Sequence, residues 1–131
     1  MRGFALESQM LGCGAVFVKE TRTAAKYSLL RLATTPAKPG LLKHTEGGGV
    51  VELEVWTMPK SAFGTFVAAI PSPLGIGKVE LEDGTEVPGF ICEGYAASAE
   101  AGAEDITSFG GWRTYMMHCD EMGRLSDSLK A

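Results

Sequence analysis

The chain has 131 residues, of which 45% are hydrophobic and 21% charged, and its net charge is −4. This length and composition fit a single globular domain and argue against disorder or a fibrous architecture. The acidic balance argues against nucleic-acid partners, which require clustered Lys and Arg. No apolar run reaches the ~18–20 residues of a membrane span, and the N-terminus lacks a signal-peptide pattern, so we expect a cytoplasmic protein without a membrane partner.

Extended segments dominate the predicted first half of the chain. Residues 16–18 and 27–30 carry the β-branched, aromatic and leucine side chains that predict two strands. The Pro-Ala-Lys-Pro-Gly segment over residues 36–40 predicts a rigid turn. In residues 51–55 Val and Leu alternate with Glu, and this period of two is typical of a half-exposed strand.

A short helix and an irregular loop are predicted next. Thr57 and Pro59 stand where an N-cap and a first-turn proline belong, and apolar residues then recur at intervals of three and four. This pattern predicts a helix over residues 60–69. Two prolines and two glycines within residues 71–77 then predict a loop, because proline blocks a helix and glycine permits unusual backbone angles.

A hairpin is the clearest local pattern in the second half. Residues 79–82 alternate, Asp83 and Gly84 fit a two-residue type I′ turn, and the return strand covers residues 87–93. The alanine-rich segment 96–103 is compatible with either a helix or a mobile loop.

A last helix is predicted to begin after a capping segment at residues 105–108 and to carry aromatic residues at helical spacing. From Asp120 onward the chain is predicted to be a loosely held tail. We therefore predict one domain over residues 1–117 and a C-terminal tail over residues 118–131.

The cysteines and histidines favour neither a disulfide framework nor a metal site. The three cysteines are odd in number, widely separated and in no C-x-x-C spacing, which is typical of reduced thiols. His44 and His118 do not form a pair at metal-ligand spacing. The glycine-rich segment 73–78 lacks the spacing of a phosphate loop. We therefore expect no metal and no cofactor.

A few polar side chains are candidates for chemistry, each with a structural alternative. Glu93 follows the apolar residues 90–92, so partial burial would raise its pKa and suit acid–base catalysis, whereas the alternative is a solvated carboxylate at a strand end. Ser8 and Gln9 lie in a predicted polar turn whose amides would receive a carboxylate, or in an ordinary loop. Lys38 lies between two prolines and presents its ammonium group either to an anion or to water.

The order of residues in segments 54–77, 79–93 and 105–113 resembles the C-terminal domain of allophanate hydrolases. The resemblance extends from Gly3 to Tyr115. It implies a fold similar to that of γ-glutamylcyclotransferases, which is an α+β fold with a small mixed β-barrel and a few short helices. It also implies a role in urea and nitrogen metabolism. In that family the domain follows an amidase domain, and in some members it decarboxylates N-carboxycarbamate.

The resemblance implies a pocket for a small carboxylated ligand that is urea-like or amino-acid-like. On this basis we predict Glu93 as the catalytic residue. The predicted ligand-binding residues lie in the turn near the N-terminus, on the second strand and in two loops: Ser8, Gln9, Tyr27, Lys38, Leu74, Gly75, Ile76 and Gly77. The amidase signature is absent, so we do not expect this chain alone to hydrolyse allophanate.

Two positions depart from the family pattern. The resemblance implies a first strand and a glycine turn before residues 1–3, and it implies a histidine acid–base residue where Ser8 stands. An unperturbed hydroxyl does not titrate near pH 7 and cannot replace an imidazole as a proton shuttle. Three alternatives therefore stay open, namely ligand binding with or without a transformation of the ligand, a non-catalytic assembly module, and a decayed copy. The assembly module would use Trp56 or Trp112 as anchors in a homodimer or with a separate amidase.

Overall fold

A computed structural model describes residues 2–130, with the side chains of Ala5 and of residues 124–130 left aside. The described part is an α+β domain with seven strands and three α-helices. In chain order the elements are α1 (Ala5–Gly12), β1 (Val16–Arg22), β2 (Tyr27–Leu32), β3 (Lys38–Lys43), β4 (Glu52–Thr57), α2 (Lys60–Ala68), β5 (Leu74–Glu80), β6 (Glu86–Cys92), β7 (Glu104–Asp105) and α3 (Trp112–Lys130). This mixed α+β class confirms the predicted class.

The strands form three antiparallel sheets, and an isolated bridge between Thr23 and Leu81 links the sheet of β1 to that of β5. β1 pairs with β4, β3 and β7 pair with the two edges of β2, and β5 pairs with β6. Within residues 2–130 no closed barrel is found, so the predicted barrel is not confirmed. The likeness to γ-glutamylcyclotransferases stays a prediction. A barrel needs every strand paired on both edges, whereas β4 and β6 each have one paired edge.

The core surrounds β2, which has buried side chains on both faces. Tyr27 and Leu29 belong to one apolar cluster, which also contains Val51, Val79, Ile106, Trp112 and Tyr115. Leu30 and Leu32 pack on the opposite face against Cys92 of β6. Because side chains alternate along a strand, two clusters on opposite faces make β2 a central strand.

The predicted hairpin is confirmed as β5 and β6, although its turn is longer than predicted. The N–H of Gly84 donates to the carbonyl of Leu81 over 2.9 Å, and the N–H of Leu81 donates to the carbonyl of Thr85 over 2.8 Å. The predicted loop over residues 71–77 is wrong in its second half, because β5 already begins at Leu74. A Cβ on Gly77 would lie 2.6 Å from Cδ1 of Ile91, so that glycine allows close packing rather than a turn.

Two other segments differ from their predictions. Ser8 and Gln9 lie in helix α1, not in a polar turn, and Phe4 at its N-cap makes no capping side-chain bond that would have marked the helix start. The predicted turn over residues 36–40 gives way to β3 at Lys38. A Cβ on Gly40 would lie 2.9 Å from Cδ2 of Leu32, so this glycine lets β3 pack closely against β2.

Helix α2 begins at Lys60 as predicted, although its N-cap is Pro59 and not Thr57, whereas α3 begins only at Trp112, because a short 3-10 helix occupies residues 107–109. The helix predicted over residues 60–69 is confirmed as α2. Helix α3 continues to Lys130, so the segment predicted as a tail from Asp120 is helical up to that residue. The domain boundary at residue 117 stays a prediction. In the described part of the chain, no helix combines the length and apolar character needed to cross a membrane.

Burial affects the three free cysteines differently. Cys92 is buried on β6, with its Sγ 3.8 Å from the carbonyl oxygen of Leu41. Burial raises the pKa of the Cys92 thiol, because the apolar surroundings disfavour a thiolate. Cys13 is partly exposed and Cys119 is exposed.

Candidate functional site

A cavity of about 1090 Å³ lies between the sheets and is lined mainly by apolar side chains. Four of the walls are α1, β4, α2 and the β5–β6 hairpin, and β3 and α3 complete the lining. Aromatic residues come from several of these elements: Phe4, Trp56, Phe63, Phe66, Phe90 and Trp112. An apolar cavity with a few polar groups is the usual form of a small-molecule site, although this one is at the upper end of the usual size.

Only a few polar side chains reach this cavity. Gln9 of α1, Lys38 of β3 and Lys60 of α2 line it, together with Glu52 and Glu54 of β4. Neither lysine forms an ion pair with another side chain that the structure describes. The cavity is therefore lined by two lysines, the half-buried Lys38 and the exposed Lys60, that no described carboxylate neutralises.

The carboxylate of Glu54 is held in a cluster of cations at the edge of the cavity. Its side chain is 8% exposed. The backbone N–H of Arg2 donates to Oε1 over 2.9 Å, and the Arg2 Nε donates to Oε2 over 3.1 Å. The Nη2 of Arg113 lies 3.6 Å from Oε2 and also donates to the carbonyl of Arg2. The indole N–H of Trp56 donates to Oε1 over 3.3 Å.

Burial alone would raise the pKa of Glu54, but the net direction is downward. The hydrogen bonds from the Arg2 backbone and guanidinium and from the Trp56 indole favour the charged carboxylate, and together they hold the pKa below its usual value. Glu54 therefore stays ionised at neutral pH and is already saturated with donors. A carboxylate in this state anchors the N-terminal segment and is poorly suited to act as a general acid.

A second cavity of about 480 Å³ shares Phe4, Glu52, Leu53, Glu54 and Trp112 with the lining of the first. Charged and polar residues supply most of its lining: Glu20, Thr21, Arg22, Glu52, Glu54, Glu82, Arg113 and Thr114. Carboxylates outnumber cations there, so an anionic ligand would meet repulsion.

The structure brings four of the predicted site residues to the large cavity, namely Gln9, Lys38, Leu74 and Ile76. Gly75 and Gly77 lie on the same strand, β5, but are outside the lining of both cavities. Their ligand-binding role stays a prediction, as it does for the four residues at the cavity.

Three other predicted residues lie elsewhere. Ser8 is exposed on α1. Tyr27 is buried, with 1% of its surface exposed, and its hydroxyl accepts a 2.9 Å hydrogen bond from the N–H of Glu80. Glu93 is exposed, and its N–H donates to the carbonyl of Pro73 over 2.8 Å. None of the three lines either cavity, so their predicted roles receive no support from position.

Sequence reasoning missed the cluster of Arg2, Glu54 and Arg113. Glu54 alternates with apolar residues on a strand, which is the pattern of a solvated carboxylate, and its two cationic partners come from distant parts of the chain. No local spacing could have revealed it. In the described range no group of three His, Cys, Asp or Glu side chains could hold a metal ion.

Comparison with known proteins places this geometry in a family. The family model described as the allophanate hydrolase C-terminal domain matches residues 1–117. This chain belongs to that family. The urea amidolyase of Saccharomyces cerevisiae is 41% identical over 120 residues, covering 88% of this chain and 6% of the relative, and that of Lachancea kluyveri is 39% identical over 119 residues with the same coverage.

Solved structures agree with this assignment. The allophanate hydrolase of Kluyveromyces lactis superposes with a TM-score of 0.86 at 40% identity, and the match covers 91% of this chain and 20% of that one. A protein specific to uropathogenic E. coli superposes with a TM-score of 0.81 at 37% identity, and here the match covers 90% and 89%. The chain thus spans a small part of the yeast enzymes but most of the bacterial protein.

Proposed function

We propose that this domain binds a small carboxylated, urea-like ligand such as N-carboxycarbamate, as a component of allophanate breakdown in urea and nitrogen metabolism. The observation that carries the proposal is Lys38, a half-buried lysine that lines an otherwise largely apolar cavity and forms no ion pair with another described side chain. A lysine in apolar surroundings attracts a carboxylate strongly, because few water molecules compete. The Gln9 amide lines the same cavity and supplies a second donor.

The proposal concerns first the binding of the ligand's carboxylate and second the chemical transformation of the ligand. An apolar cavity favours loss of CO₂ from a bound carboxylate, because the charged ground state is poorly solvated there. Decarboxylation would also need a proton donor for the nitrogen left behind, and Glu93 and Ser8 do not line the cavity. Binding is therefore the firmer part of the proposal, and decarboxylation or a γ-glutamylcyclotransferase-like reaction is its extension.

Titration with malonate, a stable dicarboxylate of similar size, tests the binding step. We expect amide NMR signals of β3 and of β5 near Leu74 and Ile76 to shift on titration. The Lys38→Ala variant should bind about tenfold more weakly, because a charge-assisted hydrogen bond is lost. Lys60→Ala is the matched control, since this lysine lines the same cavity but lies on α2. If malonate shifts no cavity signals, or if both variants weaken binding equally, Lys38 is not the carboxylate site.

The assembly alternative uses the two predicted anchors, Trp56 and Trp112. Both tryptophans line the large cavity, so a partner that contacts them at this cavity must enter it. This role is compatible with ligand binding, because a malonate-sized molecule of seven heavy atoms fills only about 200 Å³ if each atom takes the volume of a water molecule.

A further inference from the structure

A serine and a histidine are paired on the β2–β3 hairpin. The Oγ of Ser28 on β2 lies 2.7 Å from the Nε2 of His44, which directly follows β3. Both side chains are half-buried, and neither lines either of the two cavities. A hydroxyl and an imidazole within about 2.6–3.2 Å of each other form the arrangement that activates a serine as a nucleophile.

The sheet places the two side chains on one face. Ser28 lies opposite Leu42 in the ladder, and His44 is two residues beyond Leu42. The N–H of His44 donates to the carbonyl of Lys26 over 2.7 Å, so the pairing of the two segments continues to this residue. Side chains two residues apart point to the same face of a strand, so His44 lies on the Ser28 side. The backbone therefore holds the hydroxyl and the imidazole in register.

The nearest lysines are engaged elsewhere. Lys43 comes directly before His44, and its Nζ lies 3.1 Å from the carboxylate of Glu80. The Nζ of Lys26 lies 3.2 Å from the same carboxylate. Within residues 2–130 the imidazole is the only base that bonds to the Ser28 hydroxyl.

Apolar side chains border the pair. Leu42 lies opposite Ser28, and Leu30 is two residues further along β2 on the same face. Both leucines belong to the apolar cluster that contains Leu32 and Cys92. Neighbours on one face of a sheet are about 5–8 Å apart, so these leucines are within reach of a small group bonded to the serine. They supply apolar contact for a short acyl chain.

The loop after His44 supplies main-chain donors at the same end of the hairpin. A Cβ on Gly48 would lie 2.5 Å from the backbone carbonyl carbon of Lys26, so the loop packs directly on the segment that leads into Ser28. Among the hydrogen bonds between described groups, none has an N–H of residues 46–48 as its donor. These amides are therefore available to stabilise negative charge on an acyl oxygen.

We propose that Ser28 is a nucleophile with His44 as its general base, and that it accepts an acyl group from small activated esters. In the tautomer protonated at Nδ1, the Nε2 of His44 accepts the hydroxyl proton. The Oγ then bonds to the carbonyl carbon, the ester C–O bond breaks, and Nε2 returns the proton to the leaving oxygen. Water next attacks the acyl carbon, its proton passes through Nε2 to the Ser28 oxygen, and the free acid leaves.

The pair is a dyad, which determines the expected rate. No described carboxylate bonds to His44. Disabling the aspartate of a Ser-His-Asp triad lowers kcat about 10⁴-fold, so the reaction should be slow and confined to activated electrophiles. A stable covalent adduct on Ser28 is therefore a better readout than turnover of an ordinary ester.

Diisopropyl fluorophosphate tests the nucleophile on the full chain. Its P–F bond breaks, an Oγ–P bond forms, fluoride leaves, and His44 passes the hydroxyl proton to water. We expect a single label, which peptide mass spectrometry should locate on Ser28. Ser28→Ala should abolish the label, whereas Ser61→Ala, which removes an exposed serine of α2, should leave it unchanged. A label elsewhere, or none after prolonged incubation, would overturn the proposal.

Chemical rescue separates a base from a merely structural histidine. His44→Ala should slow labelling at least about 100-fold, and added imidazole should restore part of the rate. Amide NMR spectra establish that the variant keeps the parent fold. The proposal is wrong if this variant is labelled at the parent rate, or if imidazole leaves the slow rate of the folded variant unchanged.

An aryl ester tests the acyl transfer itself. p-Nitrophenyl acetate should acetylate Ser28, and its rate of p-nitrophenol release should fall at least about tenfold in Ser28→Ala. Equal rates in the two proteins would exclude Ser28 as the acyl acceptor.

Lysine variants distinguish this proposal from the ligand site. Lys38→Ala should be labelled at the parent rate, and malonate should not protect Ser28, because the pair lies outside the cavity lining. Loss of malonate binding with retained labelling would count against the ligand proposal alone. Protection by malonate would place the pair within the ligand site and would contradict a separate nucleophile.

Discussion

Strands β2 and β4 both have six residues, yet their surroundings differ sharply. β2 is paired on both edges and packs buried side chains on both faces. β4 pairs with a single strand in the described part of the chain, and residues 51–58 line the large cavity. The comparison shows that β2 anchors the fold, whereas β4 borders the cavity in which we propose that a ligand binds. Core packing and the proposed site thus involve different strands of one small domain.

Truncation of a buried side chain should give the largest difference in unfolding free energy between the two strands. Leu32 on β2 is fully buried, so Leu32→Ala should lower the free energy of unfolding by about 3 kcal/mol in a urea titration. Leu53 on β4 lines the cavity and loses fewer contacts, so Leu53→Ala should cost about 1 kcal/mol. Equal losses at the two positions would mean that the cavity is filled by packed side chains in solution.

Removing the charge of Glu54 should have the next largest effect. Glu54→Gln leaves Arg2 and Arg113 beside a neutral amide and should cost about 2 kcal/mol at pH 7. The matched variant Glu20→Gln removes an exposed partner of Arg2 and should cost less than about 0.5 kcal/mol. Thermal unfolding of both variants at constant ionic strength measures the difference.

The effect of Glu54 should depend on pH in one direction. The pKa of Glu54 is lowered in the folded protein, so the charged carboxylate stabilises the fold above the usual carboxyl pKa of 4.5. This stabilisation is lost as the pH falls through the lowered pKa. The stability difference between the parent chain and Glu54→Gln should therefore be full at pH 7 and shrink below pH 4.5. A difference that persists at acidic pH would indicate a packing role instead.

We expect the smallest difference between the two strands in their local opening, which amide hydrogen exchange measures. The Leu29 amide of β2 donates to Thr107 Oγ1 over 2.9 Å and lies in a buried sheet. It should exchange with deuterium at least about tenfold more slowly than the Trp56 amide of β4, which pairs with a single strand in the described part of the chain. Similar protection at both positions would show that the two strands open together.

Local patterns in the sequence predicted some elements well and missed others for physical reasons. The helix at residues 60–68 and the hairpin were predictable, because a proline start and an Asp-Gly turn act on neighbouring residues. Strand β3 was not predicted, because the prolines at 36 and 39 are typical of a turn. Glycine is needed at position 40 because it contacts Leu32 on the neighbouring strand. Helix α1 begins at Ala5, and its N-cap Phe4 makes no capping side-chain hydrogen bond. Packing, rather than propensity, specifies these segments.

The candidate site was only partly predictable. Lys38 stood out because two prolines flank it, and it does line the cavity. Glu93 stood out as a carboxylate after an apolar run, but the chain turns outward at that point and the side chain is exposed. The cavity itself joins residues from eight helices and strands, so its shape depends on tertiary contacts that no local spacing encodes.

The reactivity of the buried Cys92 thiol can report on local opening of the domain. Cys119 is exposed and Cys13 is partly exposed. Cys92 is buried in one apolar cluster with Leu30 and Leu32 of β2, and the pKa of its thiol is raised. A thiol reagent should therefore modify Cys92 last, and only when β6 separates from β2 and β3. The rate of that modification would follow the opening of the hairpin without any introduced label.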